Sequence, residues 1–97
     1  MSKQFWVYIL TNRKNGTLYC GHTDNLAARV FAHREGRAAA FTRQYKTKRL
    51  VWCEPHDTRE AAKTREYRIK AWKRQWKIDL IEENNPDWDD LYLKLNH

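Results

Sequence analysis

Tyr8 and Tyr19 lie in two runs of strand-forming residues, Arg29 follows ten positions after Tyr19, and Glu66 lies far downstream between Ala62 and Ile69. His22 comes directly after the glycine of Tyr19-Cys20-Gly21, and His33 stands one helical turn beyond Arg29. A guanidinium presents a forked set of donors that matches a phosphate. A single carboxylate is a hard oxygen ligand, suited to a divalent cation such as Mg²⁺ or Mn²⁺. A phenol, with a pKa of about 10, works as a base only with help from its surroundings. Taken singly, each residue also has an ordinary explanation. The tyrosines can be strand aromatics at the rim of a sheet. Arg29 can be one of nineteen basic residues on a solvated face, and Glu66 can pair with Lys63 or Lys70 along a helix. Either histidine can be a surface residue.

These side chains need elements to position them. Phe5 to Leu10 is a β-branched and aromatic run of strand length, apolar on both faces, and is expected in the middle of a sheet. Asn15-Gly16 signals a turn, and Thr17 to Cys20 reads as a second, antiparallel strand that Gly21 ends. The loop between them is either two or about six residues long. Thr23 or Asp24 can cap a helix over about Asn25 to Arg34, with Leu26, Ala27, Val30 and Phe31 as its apolar stripe. Arg37 to Lys48 is a basic, weakly patterned connector. Arg49 to Glu54 is a third strand, ended by Pro55. Thr58 caps a second helix expected over about Arg59 to Arg74, with Lys73 and Arg74 at its negative end. Ala62, Ile69, Trp72 and Trp76 recur at helical spacing, and the last two are expected in the core. Lys77 to Glu83 is a third helix or a continuation, and Asn84-Asn85-Pro86 breaks it. The result is an α+β fold, a small three-stranded antiparallel sheet flanked by helices in the order β-β-α-β-α-α. A single domain over 1–97 is expected, with its core at about 4–83 and the tail 84–97 docking through Trp88, Leu91 and Tyr92.

The chain has 97 residues, 41% of them apolar, and a net charge of +7. That length suits one domain with a modest core filled largely by aromatics. A domain this basic is drawn to polyanions. No apolar run reaches membrane-spanning length and no secretory pattern opens the chain, so a cytoplasmic location without membrane contact is expected. Cys20 and Cys53 read as buried free thiols.

The ordered set resembles the GIY-YIG nuclease family, and in particular its small stand-alone bacterial-type members. The first signature aligns with Trp6-Val7-Tyr8 and the second with Tyr19-Cys20-Gly21; Arg29 in the following helix and the later Glu66 complete it. Trp6-Val7 stands where the name-giving motif has Gly-Ile, and Cys20 where it has Ile. The resemblance covers about Gln4 to Tyr92 and extends to Lys-Arg-Leu-Val-Trp and Asn-Pro-Asp-Trp-Asp-Asp-Leu-Tyr. It implies a metal-dependent endonuclease that hydrolyses phosphodiester bonds by water attack. Tyr8 then takes the water's proton, as a general base or through a metal-bound water, Tyr19 donates to or orients the water or phosphate, and Arg29 offsets charge on the phosphate. Glu66 holds one Mg²⁺ or Mn²⁺. His22, and less directly His33, assist Tyr8 or touch the phosphate.

Basic residues interleaved with aromatics suit phosphate contacts and occasional base stacking. Arg37, Arg43 and Lys46 in the connector, with Lys63, Lys70 and Lys73 on the second helix, are the expected nucleic-acid contacts. The expected partner is nucleic acid, DNA ahead of RNA. The chain is expected as a monomer or weak homodimer. A non-catalytic nucleic-acid-binding module, or a subunit whose protein partner supplies specificity, remains the alternative.

Overall fold

The computed structural model describes residues 3–95. Residues 1, 2, 96 and 97, at the two ends of the expected domain, lie outside the described residues. The elements are β1 (Phe5–Thr11), β2 (Leu18–Thr23), α1 (Leu26–Arg34), α2 (Ala40–Tyr45), β3 (Arg49–His56), α3 (Arg59–Ala71), α4 (Arg74–Asn84) and a 3₁₀ turn at Leu91–Lys94. The sheet is antiparallel with strand order β2-β1-β3, so the strand that is apolar on both faces is the central one.

Each face of β1 carries its own cluster. Val7 and Ile9 pack with Cys20, Val51, Trp52, Ala62, Ile69, Ile81 and Trp88 beneath α3 and α4. Tyr8 and Leu10 pack with Leu26, Val30 and Leu50 beneath α1. Period-two alternation of side chains makes this division. A bulge interrupts β3, because Ile9 pairs with Trp52 but Leu10 pairs with Leu50. The extra residue lets Val51 and Trp52, adjacent in sequence, both enter the first cluster.

Several boundaries differ from the sequence reading. The β1–β2 loop is the longer alternative, with Asn15 at φ 59° and the Thr17 amide donating to Asn12 Oδ1 at 2.9 Å. Gly21 does not end β2; it pairs with Tyr8 and the strand continues to Thr23. Asn25 is the N-cap of α1, accepting from the Ala28 amide at 3.1 Å, while Thr23 hydroxyl accepts from the Asn25 amide. The buried positions of α1 are Leu26, Val30 and His33, and Phe31 is exposed. The connector holds α2, which has no apolar stripe and is closed by Lys46 at φ 56°. Pro55 lies within β3 because β3 is an edge strand, where a missing N–H need not break a ladder.

The second helix is split. Trp72 and Lys73 are extended between α3 and α4, so Lys73 and Arg74 stand at the start of α4 and not in a last turn. The charge of Arg74 is used elsewhere: its guanidinium donates to the carbonyls of Asn15 at 2.8 Å and Gly16 at 2.6 Å, tying the hairpin loop down. Trp76 is 50% exposed, and Trp88 takes the core place expected of it. Trp88 adopts φ 58° and its indole N–H donates to Glu82 Oε2 at 2.7 Å. Asn85 holds the turn before it, donating to the carbonyls of Val51 and Asp89 and accepting from the Asp89 amide. Leu91 and Tyr92 pack on the α1 side, where Asp90 accepts from the Leu50 amide and pairs with Arg34 at 2.8 Å. Among the described residues no helix is long and apolar enough to cross a membrane.

Emptying the Trp88 site leaves a large cavity under the sheet. Trp88→Ala is expected to lower unfolding free energy by about 3–5 kcal/mol in urea titrations. Trp76→Ala, at the exposed tryptophan, should change it by no more than about 1 kcal/mol.

Candidate active site

The site forms at the β2 edge, where both faces of the sheet come within reach. Tyr8 projects toward α1 and crosses β2 at Gly21, its register partner. The crossing depends on a missing side chain: a Cβ at Gly21 would lie 2.5 Å from the Tyr8 hydroxyl oxygen and 2.7 Å from Cζ. Across β2, the Cys20 and His22 side chains turn toward α3 while Tyr19 turns toward α1. A cleft of about 420 Å³ opens there, lined by Tyr8, Tyr19, Gly21, His22, Thr23, Asp24, Arg29, Arg59 and Glu66.

Tyr8 is 2% exposed and its hydroxyl is 2.9 Å from His33 Nε2. His33 is itself buried, and its Nδ1 lies 2.8 Å from the Thr42 hydroxyl, which donates to the Ala39 carbonyl at 3.0 Å. Counting protons assigns the series. The one Thr42 proton goes to Ala39, so Thr42 accepts from His33 Nδ1–H, and His33 Nε2 accepts from the Tyr8 hydroxyl. The opposite tautomer forfeits the Thr42–Ala39 bond. Burial, reinforced by the nearby Arg29 charge, pulls His33 down to about 4, so the ring is neutral at ordinary pH. Burial pushes the Tyr8 phenol well above its usual range, with Tyr19 and Glu66 adding to the rise and Arg29 opposing it. Burial therefore favours the neutral phenol at Tyr8.

On the α3 side, Glu66 Oε1 accepts from His22 Nδ1 at 2.7 Å and Oε2 pairs with Lys70 at 2.7 Å, one helical turn on. Burial works to raise the Glu66 carboxyl, but the Lys70 and His22 bonds outweigh it and hold the group below its ordinary value. Of the two lysines weighed as its helix partners, Lys70 is the one that pairs. Arg29 is exposed, with its side chain at the cleft.

Tyr8, Tyr19, His22, Arg29, His33 and Glu66 thus converge, although they come from β1, β2, α1 and α3. His33, expected as the more peripheral histidine, is the one bonded to Tyr8; His22 is bonded to Glu66. Two participants carry no sequence signal. Thr42 sits in the unpatterned connector, nine residues from the histidine it orients. Arg59, at the start of α3, reaches the cleft paired with Asp24 at 3.2 Å and lying over Phe5. The six basic residues expected to meet nucleic acid are dispersed. Lys70 adjoins the cleft through Glu66, Arg37 lies over Phe31, Arg43 is on α2 and Lys46 caps its end, Lys63 is on the exposed face of α3, and Lys73 lies over Trp76.

A family model described as the GIY-YIG catalytic domain matches residues 4–79. The chain belongs to the GIY-YIG family. Among its relatives are the UPF0213 proteins of Staphylococcus haemolyticus, 39% identical over 86% of this chain and 99% of the relative, and of Staphylococcus aureus, 38% identical over 80% and 94%. The solution NMR structure of the UPF0213 protein BH0048 from Bacillus halodurans superposes with a TM-score of 0.56 at 30% identity, covering 96% of this chain and 97% of that one. The GIY-YIG domain is that of a nuclease superfamily whose members act on nucleic acid and generally use divalent metal ions. In this GIY-YIG chain the departures from the motif are packing positions. Trp6 pairs with Thr23 and Pro55 and joins the α1-side cluster, and Cys20 occupies the buried face beneath α3.

Gly21→Ala forces the added carbon against a buried, hydrogen-bonded ring, and is expected to cost about 1–3 kcal/mol in urea denaturation. His33 makes stability sensitive to mild acid. Its folded pKa lies below the ordinary value of 6.5, so the unfolded chain binds the proton more readily. Stability should fall as pH drops from about 6.5 to about 4, and His33→Gln should remove that slope in melts recorded across the interval.

Proposed function

We propose that this chain is a divalent-cation-dependent endonuclease that hydrolyses phosphodiester bonds of DNA by water attack. The observation that carries the reading is the Tyr8–His33–Thr42 series ending in a cleft that also presents Arg29 and Glu66. With its proton directed to His33, the Tyr8 oxygen keeps lone pairs free to accept one. The attacking water gives a proton to Tyr8 as Tyr8 passes its own to His33 Nε2. The phenolate that burial disfavours is never required as a resting state. The hydroxide oxygen bonds to phosphorus, the bond to the leaving deoxyribose oxygen breaks, and that oxygen leaves with the electron pair and is protonated from solvent.

Arg29 has two duties in this scheme. Its fork of donors holds the phosphate and offsets the charge that develops there. In the resting site it also lowers the proton affinity of His33. A phosphate paired with Arg29 cancels that influence, so His33 accepts a proton most readily when substrate is in place. Tyr19, beside His33 at 5.2 Å between ring centroids, faces the same space and can donate to a phosphate oxygen.

The family's metal fits the donors present. Among the described residues no group of three or more His, Cys, Asp or Glu side chains is placed to hold an ion. Of the two carboxylates lining the cleft, Asp24 is already paired with Lys3 and Arg59, and Glu66 alone is then the donor for a Mg²⁺ or Mn²⁺ that leaves most of its coordination to water and phosphate. Such an ion supplies positive charge at the phosphate, and reaching Glu66 means competing with the Lys70 ammonium.

The test compares wild type, Glu66→Gln and Arg29→Lys on labelled duplex, branched and single-stranded DNA, with Mg²⁺, Mn²⁺ or chelator. Wild type should cut only with metal. Glu66→Gln should lose cleavage while still binding DNA, and Arg29→Lys should be slower by roughly 10²–10³. Equal cutting by wild type and Glu66→Gln would remove Glu66 from the mechanism. Binding that weakens with salt, without cutting by any of the three, would favour a non-catalytic binding module.

A further inference from the structure

A second, smaller hollow adjoins the cleft and shares Tyr19 with it. It measures about 190 Å³ and is lined by Ile9, Leu18, Cys20 and the rings of Tyr19 and Phe41, with Lys70 and Lys77 also in its wall. It is below the roughly 300–1,000 Å³ of drug-sized ligand sites. Two aromatic rings stand in its wall and a third, Tyr45, adjoins the second. Tyr19 and Phe41 centroids are 5.6 Å apart, Phe41 and Tyr45 are 4.7 Å apart, and both Phe41 and Tyr45 are exposed. Exposed rings in contact, on a helix with no apolar stripe, are not explained by core packing.

The chemistry of the lining narrows the occupant. Burial pushes the Cys20 thiol up to about 12, which leaves that wall neutral and apolar. The charge comes from two lysines held close together, Lys77 donating to the Lys70 carbonyl at 3.4 Å and the Lys70 ammonium lying 6.0 Å from the Tyr19 ring centre. A small, largely apolar hollow edged by cations suits a planar heterocycle whose neighbours on the chain are anionic. A paired base, stacked on both sides, cannot enter such a hollow.

We propose that this hollow receives one unpaired base beside the scissile phosphate, stacked on Phe41, so that the preferred substrate is single-stranded or locally unpaired DNA. The proposal rests on the nuclease reading of the neighbouring cleft and assigns its substrate class. Tyr19 connects the two, lining the cleft together with Arg29 and the hollow together with Phe41. Lys70 and Lys77 meet the flanking phosphates, and Tyr45 extends the stacking surface for the next base along the strand.

The test needs no cleavage. A single strand carrying 2-aminopurine, and its duplex, are titrated with the full chain in chelator, following quenching of the probe and anisotropy. The variants are Phe41→Leu, which keeps apolar bulk and removes the π face, and Phe41→Tyr, which restores it. Wild type should quench the single-stranded probe. Phe41→Leu should lose the quenching and bind the single strand about tenfold more weakly, with duplex binding changed less than about twofold, and Phe41→Tyr should recover both. Salt-sensitive binding without quenching, or a Phe41→Leu variant that binds both forms as wild type does, overturns the base site and leaves the catalytic reading standing. Wild type that binds neither form and cuts neither with Mg²⁺ overturns both.

Discussion

A phenol hydroxyl that is almost fully buried must be hydrogen-bonded, and the bond from Tyr8 to His33 is the constraint around which this domain is arranged. For the bond to form, α1 has to dock with Leu26 and Val30 against the sheet, which carries His33 inward one turn later. The Tyr8 ring has to cross β2, which requires the absent side chain of Gly21. The imidazole has to keep its proton on Nδ1, which requires Thr42, and hence a helix in what would otherwise be an irregular connector. Each requirement is met by a different element, so the polar series also joins β1, α1 and α2 to one another.

The electrostatics on the other side of the cleft follow a second rule. In a chain of net charge +7, the carboxylates at the cleft are held by cations: Glu66 by Lys70, Asp24 by Lys3 and Arg59. Arg29 remains at the cleft wall with its charge felt by both Tyr8 and His33. The arrangement is one in which an arriving phosphate and its counter-ion would exchange partners with groups already charged. Little new charge then has to be created as the phosphate arrives.

Much of the fold was legible because it follows from local patterns. The two-faced apolar run of β1 announced a central strand, Asn15-Gly16 the turn, and Thr58 the start of α3, where it accepts from the Ala61 amide at 3.1 Å. Where the reading missed, contacts distant in sequence outweighed local preference. Pro55 was taken as a stop, but an edge strand tolerates it. Lys73 and Arg74 were taken as the end of a helix, but the chain breaks at Trp72, which packs against the core beneath the sheet, and Arg74 instead grips the hairpin loop. Trp76 was expected in the core from its helical spacing but is half exposed, while Trp88, expected only to dock the tail, is fully buried by the turn that Asn85 holds.

For the site, each of Tyr8, Tyr19, Arg29 and Glu66 has an ordinary explanation taken singly, and it was the resemblance of the ordered set to the GIY-YIG signatures that singled them out. The ranking of the histidines was not available there. His22 sits next to the motif in sequence, while His33 reaches Tyr8 only because one helix face packs on the sheet. Thr42, Arg59 and the Phe41 ring were silent for the same reason. Their partners lie nine or more residues away, and no periodicity records a contact made by packing one element on another. The sequence by itself determined which groups were present and the strands and helices that carry them; tertiary packing alone decided which of them share a hydrogen bond.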